Sequence, residues 1–280
     1  MSKKAYAVIG HPIGHTMSPF IHTRLFALSG IDAQYSILDI APQALGQSYQ
    51  TVLRKLDGYN ITIPHKQGII RYLDKLDKKA ALYGSVNTVA NGEIAQGYTT
   101  DPDGFLKALS SAGIPLSGRV VVLGTGGVAR TMAYEAALAG CNLTIAVRPS
   151  DLNMAAALAG ELMTRIHSAH LSTCLLDRIE GDIDLLVNAT PVGMYPHMDA
   201  CPVADQVLAR CSHVFDAVYN PLETILLKKA RANGAKALGG MSMLVWQAAV
   251  SHQIWHNAQY DAGDIDKLCL ESAKAMQNTF

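Results

Sequence analysis

Two groups of residues in this chain carry charge-binding or proton-moving chemistry. The first is the run Val120-Val121-Val122-Leu123-Gly124-Thr125-Gly126-Gly127-Val128-Ala129-Arg130. Its four leading apolar residues read as a buried parallel strand, and residues 130–139 have helical composition. A strand that turns through glycine into a helix leaves backbone N–H groups without intrahelical partners, which makes a preformed anion site. Glycine also lets a phosphate approach without meeting a Cβ. The spacing Gly-x-Gly-Gly-x-x-Arg is a relative of the dinucleotide-binding fingerprint rather than a copy, and plain strand–helix turns share it. The second group is polar and lies at loop positions: His15, Thr16, Ser18, Asn60, Thr62, His65, Lys66, Asn87, Thr88, Thr100 and Asp101. Each has a structural alternative. Ser18 before Pro19 fits a helix N-cap, Asn60 and Thr62 fit strand boundaries, and Asp101 fits a cap of the helix that follows it. Lys66 is hardest to assign to structure, because it sits just beyond a strand end, where open α/β sheets bind ligands.

The elements that must position these groups follow from periodicity and breakers. Residues 5–10, 33–39, 58–63 and 93–98 read as strands. Helices are expected from Pro19 to about residue 30, over 42–55, over 66–82 and over 101–112, the last connecting two lobes. This alternation predicts a mostly parallel sheet in the first region. In the second region strands are expected at 119–123, 142–147, 183–188, 214–218 and 235–238. Helices fall between them up to residue 140, over 151–167 and over 222–233. These successive βα units predict a doubly wound sheet. Residues 241–256 and 265–277 read as closing helices.

Composition narrows the partners. At 280 residues, with 49% hydrophobic and 16% charged content, the chain suits one large or two medium globular domains. Lys+Arg and Asp+Glu both number 23, and no basic run is present, which argues against nucleic acid. Five cysteines, an odd number without CxxC spacing, suggest neither a disulfide framework nor a zinc site. The ten histidines lack metal-ligand spacing with acidic or thiol partners, so no metal is expected. No apolar run reaches the length of a membrane span or a signal peptide, and a cytoplasmic protein is expected.

Eight segments then resemble, in order, the shikimate dehydrogenase family. They are Gly10-His11-Pro12-Ile13-Gly14-His15-Thr16-Met17-Ser18-Pro19, Asn60-Ile61-Thr62-Ile63-Pro64-His65-Lys66, Gly84-Ser85-Val86-Asn87-Thr88, Gly97-Tyr98-Thr99-Thr100-Asp101, and the glycine turn itself. Asn188-Ala189-Thr190-Pro191-Val192-Gly193-Met194, Asp216-Ala217-Val218-Tyr219-Asn220-Pro221 and Met243-Leu244-Val245-Trp246-Gln247-Ala248-Ala249 complete the set. The resemblance implies an NAD(P)-dependent oxidoreductase that interconverts 3-dehydroshikimate and shikimate, a step of aromatic amino acid biosynthesis by way of chorismate. It implies a substrate domain over residues 1–101, with the 241–280 helices packed back on it, and a Rossmann cofactor domain over 102–240. A monomer or homodimer is expected.

By the same resemblance Lys66 and Asp101 are the catalytic pair. Thr16, Ser18, Asn60, Thr62, Asn87, Thr100, Tyr219 and Gln247 bind substrate. Gly124, Thr125, Gly126, Gly127, Val128, Arg148, Thr190, Val218 and Gly240 bind the cofactor. The chemistry is coherent: hydride loss from a secondary alcohol requires a base at its hydroxyl, and an ammonium stabilises the alkoxide. Thr16 replaces a usual serine, Thr99 a common asparagine, Ser242 a common glycine and His252 a common aromatic. These departures leave quinate or an aminoshikimate-like ring as alternative substrates. Arg148 suits the 2′-phosphate of NADP, whereas Asp151 suits the 2′-hydroxyl of NAD. NADP is the expectation, with NAD possible. A non-catalytic NAD(P)-binding role on the same fold is the alternative of a different class.

Overall fold

The computed structural model describes residues 3–14 and 16–279; His15, one of the polar loop candidates, lies outside them. In chain order the elements are β1 (Lys4–Gly10), α1 (Ser18–Leu28), β2 (Ala33–Asp39), α2 (Leu45–Thr51), β3 (Gly58–Ile61), α3 (His65–Gly68), β4 (Lys75–Leu76) and α4 (Lys78–Tyr83). Then come β5 (Thr88–Asn91), β6 (Ala95–Tyr98), α5 (Asp101–Ser111), β7 (Arg119–Leu123), α6 (Gly127–Leu138), β8 (Asn142–Val147), α7 (Leu152–Arg165) and β9 (His170–Leu175). The rest is β10 (Ile183–Asn188), α8 (Asp205–Leu208), β11 (Cys211–Asp216), α9 (Ile225–Ala232), β12 (Lys236–Gly239), α10 (Met241–His256) and α11 (Ala262–Thr279). The chain forms two compact units, one from residues up to Gly104 together with those from Val245 onward, the other from Phe105 to Leu244. It passes between them inside helices, within α5 and again within α10.

The first unit is built on a six-stranded sheet in the order β2-β1-β3-β5-β6-β4. The sheet is mixed with parallel pairs in the majority: β1 runs parallel to β2 and β3 and β4 to β6, whereas β5 is antiparallel to both β3 and β6. β5 and β6 are joined by a tight turn, Gly92 N–H donating to Ile94 O at 3.2 Å, which requires the antiparallel arrangement. The helix expected over residues 66–82 is broken. Lys75–Leu76 pairs instead with Gln96–Gly97 of β6, and Asp77 starts α4 afresh by accepting from the N–H groups of Ala80 (2.8 Å) and Lys79 (3.2 Å). Strand pairing and a cap thus override helical composition. α10 fastens to the sheet through Trp255 Nε1, which donates to Val89 O at 2.9 Å.

The second unit holds six strands, all parallel, in the order β12-β11-β10-β7-β8-β9. The chain leaves β7 first toward β8 and β9, then returns to add β10, β11 and β12 on the other side. This is the doubly wound order, and the reversal opens a crevice at the C-terminal ends of β7 and β10. Val120, Val121, Val122 and Leu123 are wholly buried, and burial of each such side chain contributes roughly 1.5–3 kcal/mol. The strand expected to run to residue 218 stops at Asp216, and the helix expected from 222 starts after Thr224. That hydroxyl caps α9 by accepting from Leu227 N at 3.2 Å. β9 has no apolar run and stands at a sheet edge, so periodicity did not reveal it.

A buried imidazole chain lies between α1 and α10. Tyr260 OH donates to Leu25 O at 3.0 Å, so it accepts from His252 Nδ1 at 3.0 Å; His252 Nε2 then accepts from His22 Nδ1 at 3.0 Å. His22 also stacks on Tyr35 at 4.2 Å. Both histidines are fully buried, and this arrangement needs them neutral. Desolvation pushes His22 down to about 3 and His252 well below the usual histidine range. A base whose folded pKa is depressed stabilises the fold above the unfolded value and loses that contribution as pH falls toward the folded one. The unfolding free energy is therefore expected to drop by about 2 kcal/mol between pH 7 and pH 5 through His22 alone. Urea melts followed by tryptophan fluorescence at both pH values test this, and a His22→Phe variant with an unchanged pH slope would contradict it.

Candidate active site

Lys66 stands on a turn held from two sides. Val86 N donates to the Lys66 carbonyl at 2.9 Å, and the neighbouring His65, buried, places Nε2 2.6 Å from Ile40 O. The Lys66 ammonium donates to Asp101 Oδ2 at 2.6 Å. Asp101 opens α5, where the helix dipole favours a carboxylate. The two side chains keep 28% and 19% of their area exposed, enough for a ligand to reach them while their attraction stays poorly screened. Asn87 fixes the other carboxylate oxygen, its Nδ2 donating to Asp101 Oδ1 at 2.7 Å. The amide cannot be flipped, because Thr100 N donates to Asn87 Oδ1 at 2.8 Å.

From Asn87 an unbroken line of neutral polar side chains crosses the unit. Thr88 Oγ1 lies 3.1 Å from Asn87 Oδ1 and 2.9 Å from Ser251 Oγ, and Asn60 Nδ2 lies 3.0 Å from both hydroxyls. Asn60 Oδ1 accepts from Tyr35 OH at 2.7 Å, Tyr35 bonds to Ser18, and the Ser18 hydroxyl accepts from Thr16 Oγ1 at 3.1 Å. Thr100 Oγ1 reaches Gln247 Oε1 at 3.4 Å. The structure thus brings together Lys66, Asp101, Asn87, Thr100, Gln247, Asn60, Ser18 and Thr16, with Thr62 partly exposed on the turn before Lys66. Asn60 and Thr100, expected as substrate contacts, are 6% and 0% exposed and bond to their neighbours, so in this conformation they brace the site. Tyr35 and Ser251 escaped the sequence reading. Ser251 was the more accessible, since it lies one helical turn after Gln247 on the same face of α10.

In the second unit a cleft of about 290 Å³ opens at the crevice between β7 and β10. Gly124, Thr125, Gly126, Arg148 and Thr190 line it, joined by Asp151, Met154, Ala189 and Pro191. Gly124 has φ +100°, open to glycine at little strain. At Gly126 and Gly127 a Cβ would meet no atom within 4 Å, and no side chain caps α6, so its first N–H groups have no side-chain acceptor. Gly127 and Val128 belong to that first turn. Val218 is buried, and Gly240 serves the backbone: a Cβ there would strike the Ala217 carbonyl, and its N–H donates to Val218 O at 3.1 Å. Neither lines the cleft. Tyr219, half-buried, also belongs to this unit, and burial raises its pKa. Arg148 Nη2 and Nε sit 2.9 and 3.1 Å from Asp151 Oδ2, and this bond with that of Ser150 holds the Asp151 carboxyl below its usual range. Arg130, which ends the glycine motif, is turned away to clamp Glu161 of α7 with both terminal nitrogens.

Among the described residues no three His, Cys, Asp or Glu side chains gather as a metal site requires, and no helix is long and apolar enough to cross a membrane. The glycine cradle at the switch point of a doubly wound sheet defines a dinucleotide-binding protein, and a lysine–carboxylate pair such as that of the first unit has the chemistry to handle a proton. The substrate-binding domain of shikimate dehydrogenase matches residues 8–89. A shikimate dehydrogenase (NADP(+)) of Caldanaerobacter subterraneus subsp. tengcongensis is 36% identical over 263 residues, 92% of this chain and 93% of that protein. The structure is similar to shikimate 5-dehydrogenase of Thermus thermophilus in complex with NADP(H) and shikimate, with TM-score 0.86, 33% identity, and coverage of 96% and 99% of the two chains. It is also similar to shikimate 5-dehydrogenase of Listeria monocytogenes in complex with shikimate and NAD, with TM-score 0.84, 31% identity, and coverage of 95% and 96%. The chain belongs to the shikimate dehydrogenase family.

Ser251 Oγ accepts from the buried Asn60 amide and lies 2.9 Å from Thr88 Oγ1, so Ser251→Ala removes one hydrogen bond from each. The variant is expected to lose about 1–3 kcal/mol of stability. Chemical denaturation with an unchanged m-value measures it, and a loss below about 0.5 kcal/mol would show that the line of hydroxyls is not a structural brace.

Proposed function

We propose that this protein is an NADP-dependent shikimate dehydrogenase, which reversibly reduces 3-dehydroshikimate to shikimate. The observation that carries the reading is the Lys66–Asp101 pair at 2.6 Å, oriented by Asn87 and set among hydroxyl and amide groups suited to a polyhydroxylated ring. Support comes from family membership along nearly the whole chain. The first unit would bind the substrate and the second the cofactor. All five cysteines are free, in keeping with a reducing, cytoplasmic setting.

The residues present fit NADP. The uncapped helix start at Gly126 and Gly127 would take the pyrophosphate, and the cleft walls near Met154 would take the adenosine half. Arg148, 71% exposed, would present its guanidinium to the 2′-phosphate. When bound, the nicotinamide supplies or accepts the hydride. This chain's own part is the proton. In the reducing direction the Lys66 ammonium gives its proton to the oxygen that becomes the new hydroxyl, and Asp101 holds the ammonium in place and balances its charge. In the oxidising direction the pair takes that proton back. Positioned proton transfer of this kind accelerates a reaction by about 10²–10⁴-fold. Gln247 and the Thr16–Ser18 hydroxyls would orient the ring and its carboxylate.

The Arg148–Asp151 pair supports a second reading for the cofactor alone. Asp151 already offsets the guanidinium charge and stands where an acid accepts from a ribose 2′-hydroxyl, so NAD can share the site. Initial rates of shikimate and quinate oxidation with NADP and with NAD test both readings. Shikimate with NADP is expected to give the highest kcat/KM. Arg148→Ala is expected to raise the KM for NADP about 10-fold or more and leave that for NAD within about twofold. No turnover of shikimate with either cofactor would overturn the function, and equal effects of Arg148→Ala on both cofactors would overturn its phosphate role.

A further inference from the structure

The second unit contains a buried anion that neither hydride nor proton transfer uses. Asp216, the last residue of β11, is wholly buried, and no ion pair with Lys, Arg or His is present at it among the described residues. An unpaired buried carboxylate is expensive unless hydrogen bonds replace its water. Three do so. Asn188 Nδ2 and Val218 N donate to Oδ1 at 2.9 and 3.1 Å, and Thr224 Oγ1 donates to Oδ2 at 2.6 Å.

The donors are placed where the cleft is made. Asn188 is the last residue of β10, wholly buried, and its Oδ1 accepts from Thr190 N at 3.1 Å and Thr190 Oγ1 at 2.7 Å. Its amide is fixed, since a flip would set its carbonyl against the Asp216 carboxylate and its NH₂ against the Thr190 N–H. Thr190 Oγ1 in turn receives Val192 N at 3.3 Å. The Thr190 methyl lies 3.0 Å from where a Cβ on Gly124 would stand, so this loop rests against the glycine turn. Gly124 and Thr190 both line the cleft. A continuous rigid path therefore runs from Asp216 through Asn188 and Thr190 to the anion cradle.

We propose that Asp216 is a positioning residue for the dinucleotide: acting through Asn188, it holds the Thr190 loop against the glycine turn and so sets cofactor affinity without touching substrate. The proposal rests on the NADP-dependent reading above. Burial raises the Asp216 pKa while its three donors oppose the rise, as befits a carboxylate that accepts bonds on both oxygens.

The test is the Kd for NADPH, measured by fluorescence titration of the full-length protein without substrate, together with the KM values for NADP and shikimate. Asp216→Asn is expected to raise the NADPH Kd and the KM for NADP at least about 10-fold, with the KM for shikimate within about twofold. A Kd unchanged from wild type, or an equal rise in both KM values, would overturn the proposal, the second outcome being that of general loosening. Should Asp216→Asn not fold, Asn188→Ala cuts the same path while leaving Asp216 its bonds to Val218 and Thr224, and the same rise in Kd is expected. A wild-type protein that binds NADPH tightly yet does not turn over shikimate would defeat the substrate reading and leave this comparison of Kd values decisive for Asp216.

Discussion

The first unit is arranged around the 2.6 Å contact of Lys66 with Asp101. Two opposite charges, each about three-quarters withdrawn from water, attract strongly, but a flexible lysine stem holds no direction by itself. The carboxylate has to be the fixed partner. The N-terminus of α5 and the Asn87 amide fix it, and the Thr100 backbone fixes Asn87 in turn. Every further member of the line toward Thr16 is neutral. Hydroxyls and amides orient one another there without adding a second charge that would compete for the ammonium.

The second unit meets a different constraint with related means. A cofactor with phosphates requires donors that carry no bulk, and the uncapped first turn of α6 beyond Gly124 provides them. The loops after β10 and β11 then need fixed directions at strand ends, where no ladder continues. A buried carboxylate with three donors gives those directions. Each unit thus holds one carboxylate whose two oxygens are both committed, partly exposed at Asp101 and wholly buried at Asp216.

Much of this was legible in the sequence. The βα alternation of the second region and the apolar run before Gly124 sufficed for a doubly wound sheet, because buried parallel strands have a strong apolar signature. The residues that come together around Lys66 were readable as types at loop positions and, more sharply, as ordered segments of a known family. Three things were not legible. The β5–β6 reversal turns on a strand, Thr88–Asn91, too short to show a period, and the short β4 depends on pairing with β6 outside its own segment, which local composition does not encode. Tyr35 and Ser251 enter the site only because β2 and α10 are brought to Asn60 from far away in sequence. At Gly240, which the resemblance assigns to the cofactor, the structure adds a demand that sequence does not show, the Ala217 carbonyl packed against it.

The most direct measurement is a single-turnover experiment: the rate of NADPH formation from enzyme saturated with NADP and shikimate, in wild type and in Lys66→Ala, with and without added ethylamine. If Lys66 moves the proton at the substrate hydroxyl, the variant slows the step by at least about 10²-fold with cofactor affinity unchanged, and the free amine restores part of the rate. A variant that keeps the wild-type rate would contradict the account at its centre.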